Sequence, residues 1–126
     1  MEMTESETES STETKLRYQS SKTYTHAQGL SCCFRQWRAE GYSHCSLLHG
    51  YALQVKLTFE SDELDEKNWV QDFGGLKDIK TFIEGTFDHT CLVAEDDPQL
   101  GLFQAMHSLQ LLRMVILPAV GCEKFA

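Results

Sequence analysis

The 126-residue chain has only two prolines, no Cys-x-x-Cys pair and no long apolar run, and each gap removes a class of protein. Without Cys-x-x-Cys there is neither a thioredoxin-like redox motif nor a four-cysteine zinc knuckle. The longest nearly uncharged stretch, Met114 to Cys122, is far too short to cross a bilayer, so no membrane partner is expected. The five cysteines, Cys32, Cys33, Cys45, Cys91 and Cys122, are odd in number, and no basic-then-apolar leader opens the chain. A reduced, cytoplasmic protein is the expectation. Positive charge is scarce too: eleven Lys and Arg against nineteen Asp and Glu leave a net charge of -8. With no basic patch to neutralise a run of phosphates, nucleic acid is not an expected partner, and a small ligand is.

What is present is the composition of a single soluble globular domain, 41% hydrophobic and 24% charged. A core of this size is thin, which makes completion by neighbouring copies, a homo-oligomer, an expectation. Residues 1–14 (MEMTESETESSTET) are Glu, Ser and Thr with almost nothing apolar, and are expected to form a disordered acidic tail. The domain proper then runs over 15–126. A strand followed by a loop is expected between Tyr18 and Trp37. Tyr51, Leu53, Val55, Leu57 and Phe59 alternate with polar or small residues, the period of one strand with a single face on a core. SDELDEK, from Ser61 to Lys67, reads as an acidic turn. Leu76, Ile79, Phe82 and Ile83 then mark a helix face that starts at Asp72 or Gly74-Gly75 and ends at Gly85. A turn at EDDP leads to a second helix from Leu100 towards Leu112. A short strand over Arg113 to Pro118 follows, and GCEKFA is the first turn of a third helix.

Three places hold residues capable of chemistry: His44-Cys45-x3-His49 at a strand start, Asp88-His89 after a helix, and His26. A thiol of ordinary pKa near 8.5 and an imidazole near 6.5 need only modest shifts to exchange protons at neutral pH, and an adjacent carboxylate can orient the imidazole. Each site also has a plainer reading, Cys45 as a small buried hydrophobe and Asp88-His89 as a helix cap. His107, on an apolar helix, reads as structural. His26, His44, Cys45 and His49 are near enough in sequence to be imagined around a metal, but neighbouring strand positions face opposite ways, so His44 and Cys45 cannot share a site without a bulge.

Three ordered motifs carry a resemblance: CSLLHGY from Cys45 to Tyr51, VQDFGGLK from Val70 to Lys77 and FDHTCL from Phe87 to Leu92. In these the chain resembles the 6-pyruvoyl tetrahydropterin synthase and 6-carboxytetrahydropterin synthase family, whose pattern is Cys-x3-His-Gly-His, Val-x-Asp-Phe-x-x-Leu-Lys and Asp-His, in that order. The resemblance implies an α+β tunnelling fold (T-fold), an antiparallel sheet with helices packed on one face. It implies that Cys45, Asp88 and His89 carry proton transfers on a pterin side chain. It also implies zinc held by three histidines, and here the chain departs from the pattern. His49 is retained, but Tyr51 stands at the second histidine and Phe34, eleven residues before Cys45, at the third. A substitute ligand would have to be His26 swinging in or His44 recruited through a bulge.

The implied function is a lyase like 6-carboxytetrahydropterin synthase, acting on 7,8-dihydroneopterin triphosphate in deazapurine (queuosine) precursor or pterin biosynthesis, in a homo-oligomer, with a hexamer as the family's form. The alternative is a non-catalytic or metal-free pterin-binding relative of the same fold, in which Phe34 and Tyr51 offer stacking surface. Val120-Gly-Cys-Glu123 resembles the opening of the family's C-terminal helix, so on this reading the domain is incomplete, lacking the rest of that helix, two further strands and a late glutamate that anchors the pterin.

Overall fold

The computed structural model describes residues 2–9, 14–25 and 29–126, with side chains described from Arg17 onward. His26 lies outside the described residues. The backbone divides into two compact units, residues 1–24 with 54–82, and residues 25–53 with 83–126.

In the first unit, β1 (Glu2–Glu9) pairs antiparallel with β2 (Thr14–Tyr24), which pairs antiparallel with β5 (Val55–Ser61). The acidic segment that composition marks for disorder thus contains a strand at residues 2–9. Backbone pairing with a hairpin neighbour is a route to a strand that composition does not register. The alternation along β5 is realised: Val55, Leu57, Phe59 and Ser61 are half-buried and Lys56, Thr58 and Glu60 exposed. Register sets Ser20 opposite Phe59, and Tyr24 opposite Val55.

The next stretch is more organised than an acidic turn. Asp65 Oδ1 accepts from the backbone N–H groups of Lys67 and Trp69, at 2.8 and 3.0 Å. Asp72 Oδ1 caps a 3-10 turn over Phe73–Gly75, accepting from Gly74 N at 2.9 Å. Helix α1 (Lys77–Phe87) therefore begins later than the glycines suggest and runs through Gly85, burying Ile83 and Phe87. It ends where His89 takes a left-handed backbone conformation, φ 58°.

The second unit is built on a four-stranded sheet, order β4-β3-β6-β7, from β3 (Leu30–Phe34), β4 (His49–Leu53), β6 (Thr90–Ala94) and β7 (Met114–Leu117). The α+β class holds, but this sheet is mixed: β3 and β4 are antiparallel, whereas β3 with β6 and β6 with β7 are parallel. The parallel step from β6 to β7 is made by a crossover through α2 (Leu100–Ser108). All five residues of β6 are buried, the pattern of a strand covered on both faces. The alternating run read as a single strand is two, β4 and β5, which join different sheets; alternation records which face is buried, not which strand is the neighbour. At Gly29, φ 83°, a Cβ would come within 2.8 Å of Ala52, so only glycine enters β3 here.

The two faces of this sheet are covered differently. Cys91, Val93 and Phe103 form one core cluster, with Cys33, Leu100, Leu112 and Met114 packed against it. On the other face lie Phe34, Tyr51 and Leu92, with Phe34 fully buried at 0% exposure. The last helix, α3 (Cys122–Phe125), brings Phe125 to this aromatic face.

Candidate functional site

Register brings the three positions expected to hold a metal onto one face of the second unit's sheet. Phe34 is opposite His49 across β3 and β4, and Tyr51 is opposite Cys32, so Phe34, His49 and Tyr51 share a side. In place of convergent donors there is an aromatic stack. The Phe34 and Tyr51 rings lie 4.0 Å apart and nearly parallel, at 7°, and Phe125 meets Phe34 edge-on at 5.1 Å. Phe87, from the last turn of α1, is 5.3 Å from Phe125. Such arrangements are worth about 0.5–1.5 kcal/mol per ring pair beyond the area they bury. His49 stands at the margin of the stack, 6.5 Å from Tyr51 and 5.9 Å from His44, with Nδ1 2.7 Å from the Leu47 carbonyl.

The zinc that the family resemblance implies does not fit these residues. Phe34 has no donor atom and its ring is sealed in the stack; the Tyr51 phenol is pushed above its ordinary pKa, first by burial and then by the thiols of Cys45, Cys122 and Cys32. A phenol held in its protonated form is a poor zinc ligand. Only His49 offers an imidazole in register.

Cys45 lies in a 3-10 turn, His44–Ser46, rather than on a strand, so the strand-based objection to His44 and Cys45 sharing a side does not apply. Ser43 Oγ caps the turn, accepting from Cys45 N at 3.1 Å, and the Cys45 carbonyl accepts from Gln36 N at 2.9 Å. Arg35 holds it from the other side, donating from Nη1 to the Ser46 carbonyl at 3.3 Å. The same guanidinium grips Asp97 with two bonds, Nε to Oδ2 at 2.9 Å and Nη2 to Oδ1 at 2.6 Å. The Asp97 side chain is 1% exposed and its carboxyl is held below the usual range, chiefly by the Arg35 hydrogen bonds. This fork ties the end of β3, the Cys45 turn and the loop after β6 together. Sequence reading missed it, and the available signal was a single arginine directly after β3 with an EDDP turn to receive it.

Asp88 and His89 are paired through their side chains and held by one strand. Asp88 Oδ1 accepts from Ser31 N at 3.1 Å and lies 3.1 Å from His89 Nδ1, while His89 N donates to the Ser31 carbonyl at 2.5 Å. The backbone of β3 therefore clamps both residues. With the proton on Nδ1, Nε2 is left as the acceptor, and at 81% exposure the His89 side chain is open to solvent. Cys45 and His89 share no hydrogen bond or ion pair among the described residues. His107 is structural, as read, with Nδ1 accepting from Met114 N at 3.1 Å.

Among the described residues no helix is long and apolar enough to cross a membrane. The chain is similar to the crystal structure of an uncharacterized protein from Wolinella succinogenes, with a TM-score of 0.70 over 89% of this chain and 80% of that one, at 22% identity. That likeness shows the fold. Two curated relatives are named 6-carboxy-5,6,7,8-tetrahydropterin synthase. The one from Rickettsia conorii is 32% identical over 63 residues, 49% of this chain and 46% of its own. The one from Bacillus subtilis is 34% identical over 58 residues, 46% of this chain and 38% of its own. The chain thus spans about half the length of the curated relatives it matches. The family model for 6-pyruvoyl tetrahydropterin synthase extends the match over residues 18–125, from β2 through the aromatic face to Phe125, and the chain belongs to that family.

Proposed function

We propose that this chain is a pterin-binding member of the family that works without the family's zinc. The observation that carries this reading is the Phe34–Tyr51 stack, because it occupies two of the three ligand positions with rings that favour one another over a metal. A flat pterin is a natural ligand for an aromatic surface, and further copies of the chain in a homo-oligomer, a hexamer in the fullest form of the proposal, would supply what one copy lacks.

A second reading keeps the lyase. In it, Cys45 and His89 exchange protons at the side chain of 7,8-dihydroneopterin triphosphate, Asp88 fixes the imidazole tautomer, and the product feeds queuosine or pterin biosynthesis in the cytoplasm. The clamped Asp88–His89 pair favours it.

Metal content with turnover separates the two. Protein purified without added metal is expected to carry well under one zinc per chain, to quench the fluorescence of a dihydropterin on binding, and to leave dihydroneopterin triphosphate unchanged. One zinc per chain with turnover would overturn the metal-free reading and install the lyase. Phe34→His with Tyr51→His sharpens the test, since the double variant presents three imidazoles with His49 and should gain zinc-dependent thermal stability.

A further inference from the structure

Under α2 the second unit's sheet is packed, and beside α2 it is bare. The sheet runs β4-β3-β6-β7, with strands about 4.8 Å apart, and a helix about 10 Å wide spans two of them. Helix α2 takes β6 and β7, where Phe103 packs with Cys91 and Val93 and Met114 lies against them. Beyond Cys33, the residues of β3 and β4 that share this side are Ser31, Gly50 and Ala52, and all three are exposed. Leu30, Cys32 and Phe34, which alternate with them on β3, are buried, so the exposure belongs to the face and not to the strand. A shelf of small residues, about one helix wide, is left beside α2.

Helix α2 also has an apolar side that its own sheet does not use. Leu102, Ala105 and Leu109 are spaced three and four residues apart, on a side that does not include Phe103, and the two leucines are 60% and 70% exposed. From Pro98 to Leu112 there is no Asp, Glu, Lys or Arg, in a chain of net charge -8. A surface helix carries charge on its outer side, and a helix without any has the composition of one enclosed on more than one side. We propose that α2 of a second copy of this chain fills the shelf, with the two copies related by a two-fold axis.

Reciprocity selects a second copy over any other partner. Each copy offers a shelf that lacks a helix and a helix that lacks a cover, so one two-fold operation satisfies both. The apolar side also has a centre. Leu102 and Leu109 stand three and four residues either side of Ala105, so antiparallel helices set Leu102 against the partner's Leu109, with small alanine side chains between them. Charge acts in the same direction, because acidic bodies repel wherever they present carboxylates, and neither the shelf nor α2 presents one. This inference deepens the homo-oligomer of the proposed function by giving its copies a surface, and it involves neither pterin nor zinc.

Sedimentation velocity of the full chain, from about 1 to about 100 µM, is the test. At the top of that range wild type should sediment as a dimer or as a larger assembly with an even number of chains. Leu109→Glu puts an unpaired carboxylate into the contact, and Gly50→Arg fills the shelf. A Cβ at Gly50 meets no atom within 4 Å, so the chain itself has room for the new side chain. Each variant should raise the dissociation constant at least about 100-fold and halve the assembled mass, with an unchanged far-UV circular dichroism spectrum. A wild type that stays monomeric or forms an odd-numbered ring would overturn the proposal. So would an assembly that survives either folded variant, since helix and shelf must then meet something other than each other. Should a variant lose its circular dichroism signal, Leu102→Glu or Ala52→Lys replaces it on the same surface. Mass is the readout throughout, so the outcome is separate from the zinc content and dihydropterin quenching that test the pterin reading.

Discussion

The two faces of the second unit's sheet are made from the same strands, one residue out of step, and they solve different problems. Cys33, Cys91, Val93 and Phe103 fill one face with small thiols, aliphatic groups and a single ring under α2. Phe34, Tyr51, Phe125 and Phe87 fill the other almost wholly with rings. The first face needs only volume and apolarity, which many residue sets supply. The second occupies the positions where the family pattern has histidines, so its composition records a change of chemistry as well as a packing solution. Because register fixes which residues share a face, exchanging His for Phe at position 34 changes the character of the site without altering any strand pairing.

That contrast breaks most readily at Phe34. Its side chain is fully buried and touches both Tyr51 and Phe125, so Phe34→Ala removes the centre of the stack, with an expected loss of about 3–5 kcal/mol in urea unfolding. Cys91→Ala on the opposite face deletes one small group and should cost less than half as much. Similar losses at both sites would mean that the aromatic face is no more than ordinary core.

The motifs CSLLHGY, VQDFGGLK and FDHTCL were legible in the chain because each compresses a local geometry into a few residues, and the last of them contains Asp88 and His89, whose side chains lie 3.1 Å apart. The α+β class, α2, β7 and the opening turn of α3 were legible for the same local reason. The stack was legible only in part. Phe34 and Tyr51 could be read as replacing histidines, but Phe87 and Phe125 are 38 residues apart in sequence and nothing local announces that they meet. The split of one alternating run into β4 and β5 was hidden because a period of two is blind to the partner strand. Composition does not register the pairing of residues 2–9 with β2, because backbone hydrogen bonds leave no pattern in residue types.

The next way to sharpen the contrast lies at the junction between the faces, where Arg35 follows Phe34. Asp97→Asn weakens the two-bond fork and should cost about 2–3 kcal/mol at neutral pH. The carboxyl has a folded pKa below its unfolded value, near 3.9, so its contribution is fully present above that value and lost as pH falls through the depressed folded value. The difference between wild type and Asp97→Asn should therefore shrink in acid, most steeply below about pH 4. A difference that stays constant from neutral to pH 2 would show that Asp97 acts by shape and not by charge.

The smallest effect is in the thiols, and it involves no loss of stability. Burial, with help from Cys33, Cys122 and Asp88, pushes the Cys32 thiol up to about 11, and burial, with a hydrogen bond to Cys33 that favours the protonated form, pushes Cys91 to about 12. Since the thiolate is the nucleophile, a rise from 9.0 to about 11 lowers the reactive fraction roughly 100-fold at neutral pH, before any steric protection. Cys122 is exposed at the start of α3. Maleimide labelling followed by mass spectrometry should modify Cys122 first, while Cys32 on the aromatic face and Cys91 on the aliphatic face stay intact until the chain unfolds. In Phe34→Ala the protection should fail unevenly. Cys32, on the face that loses its ring, should become reactive well before Cys91, and simultaneous exposure of the two would mean that the faces open as one unit and are not separately held.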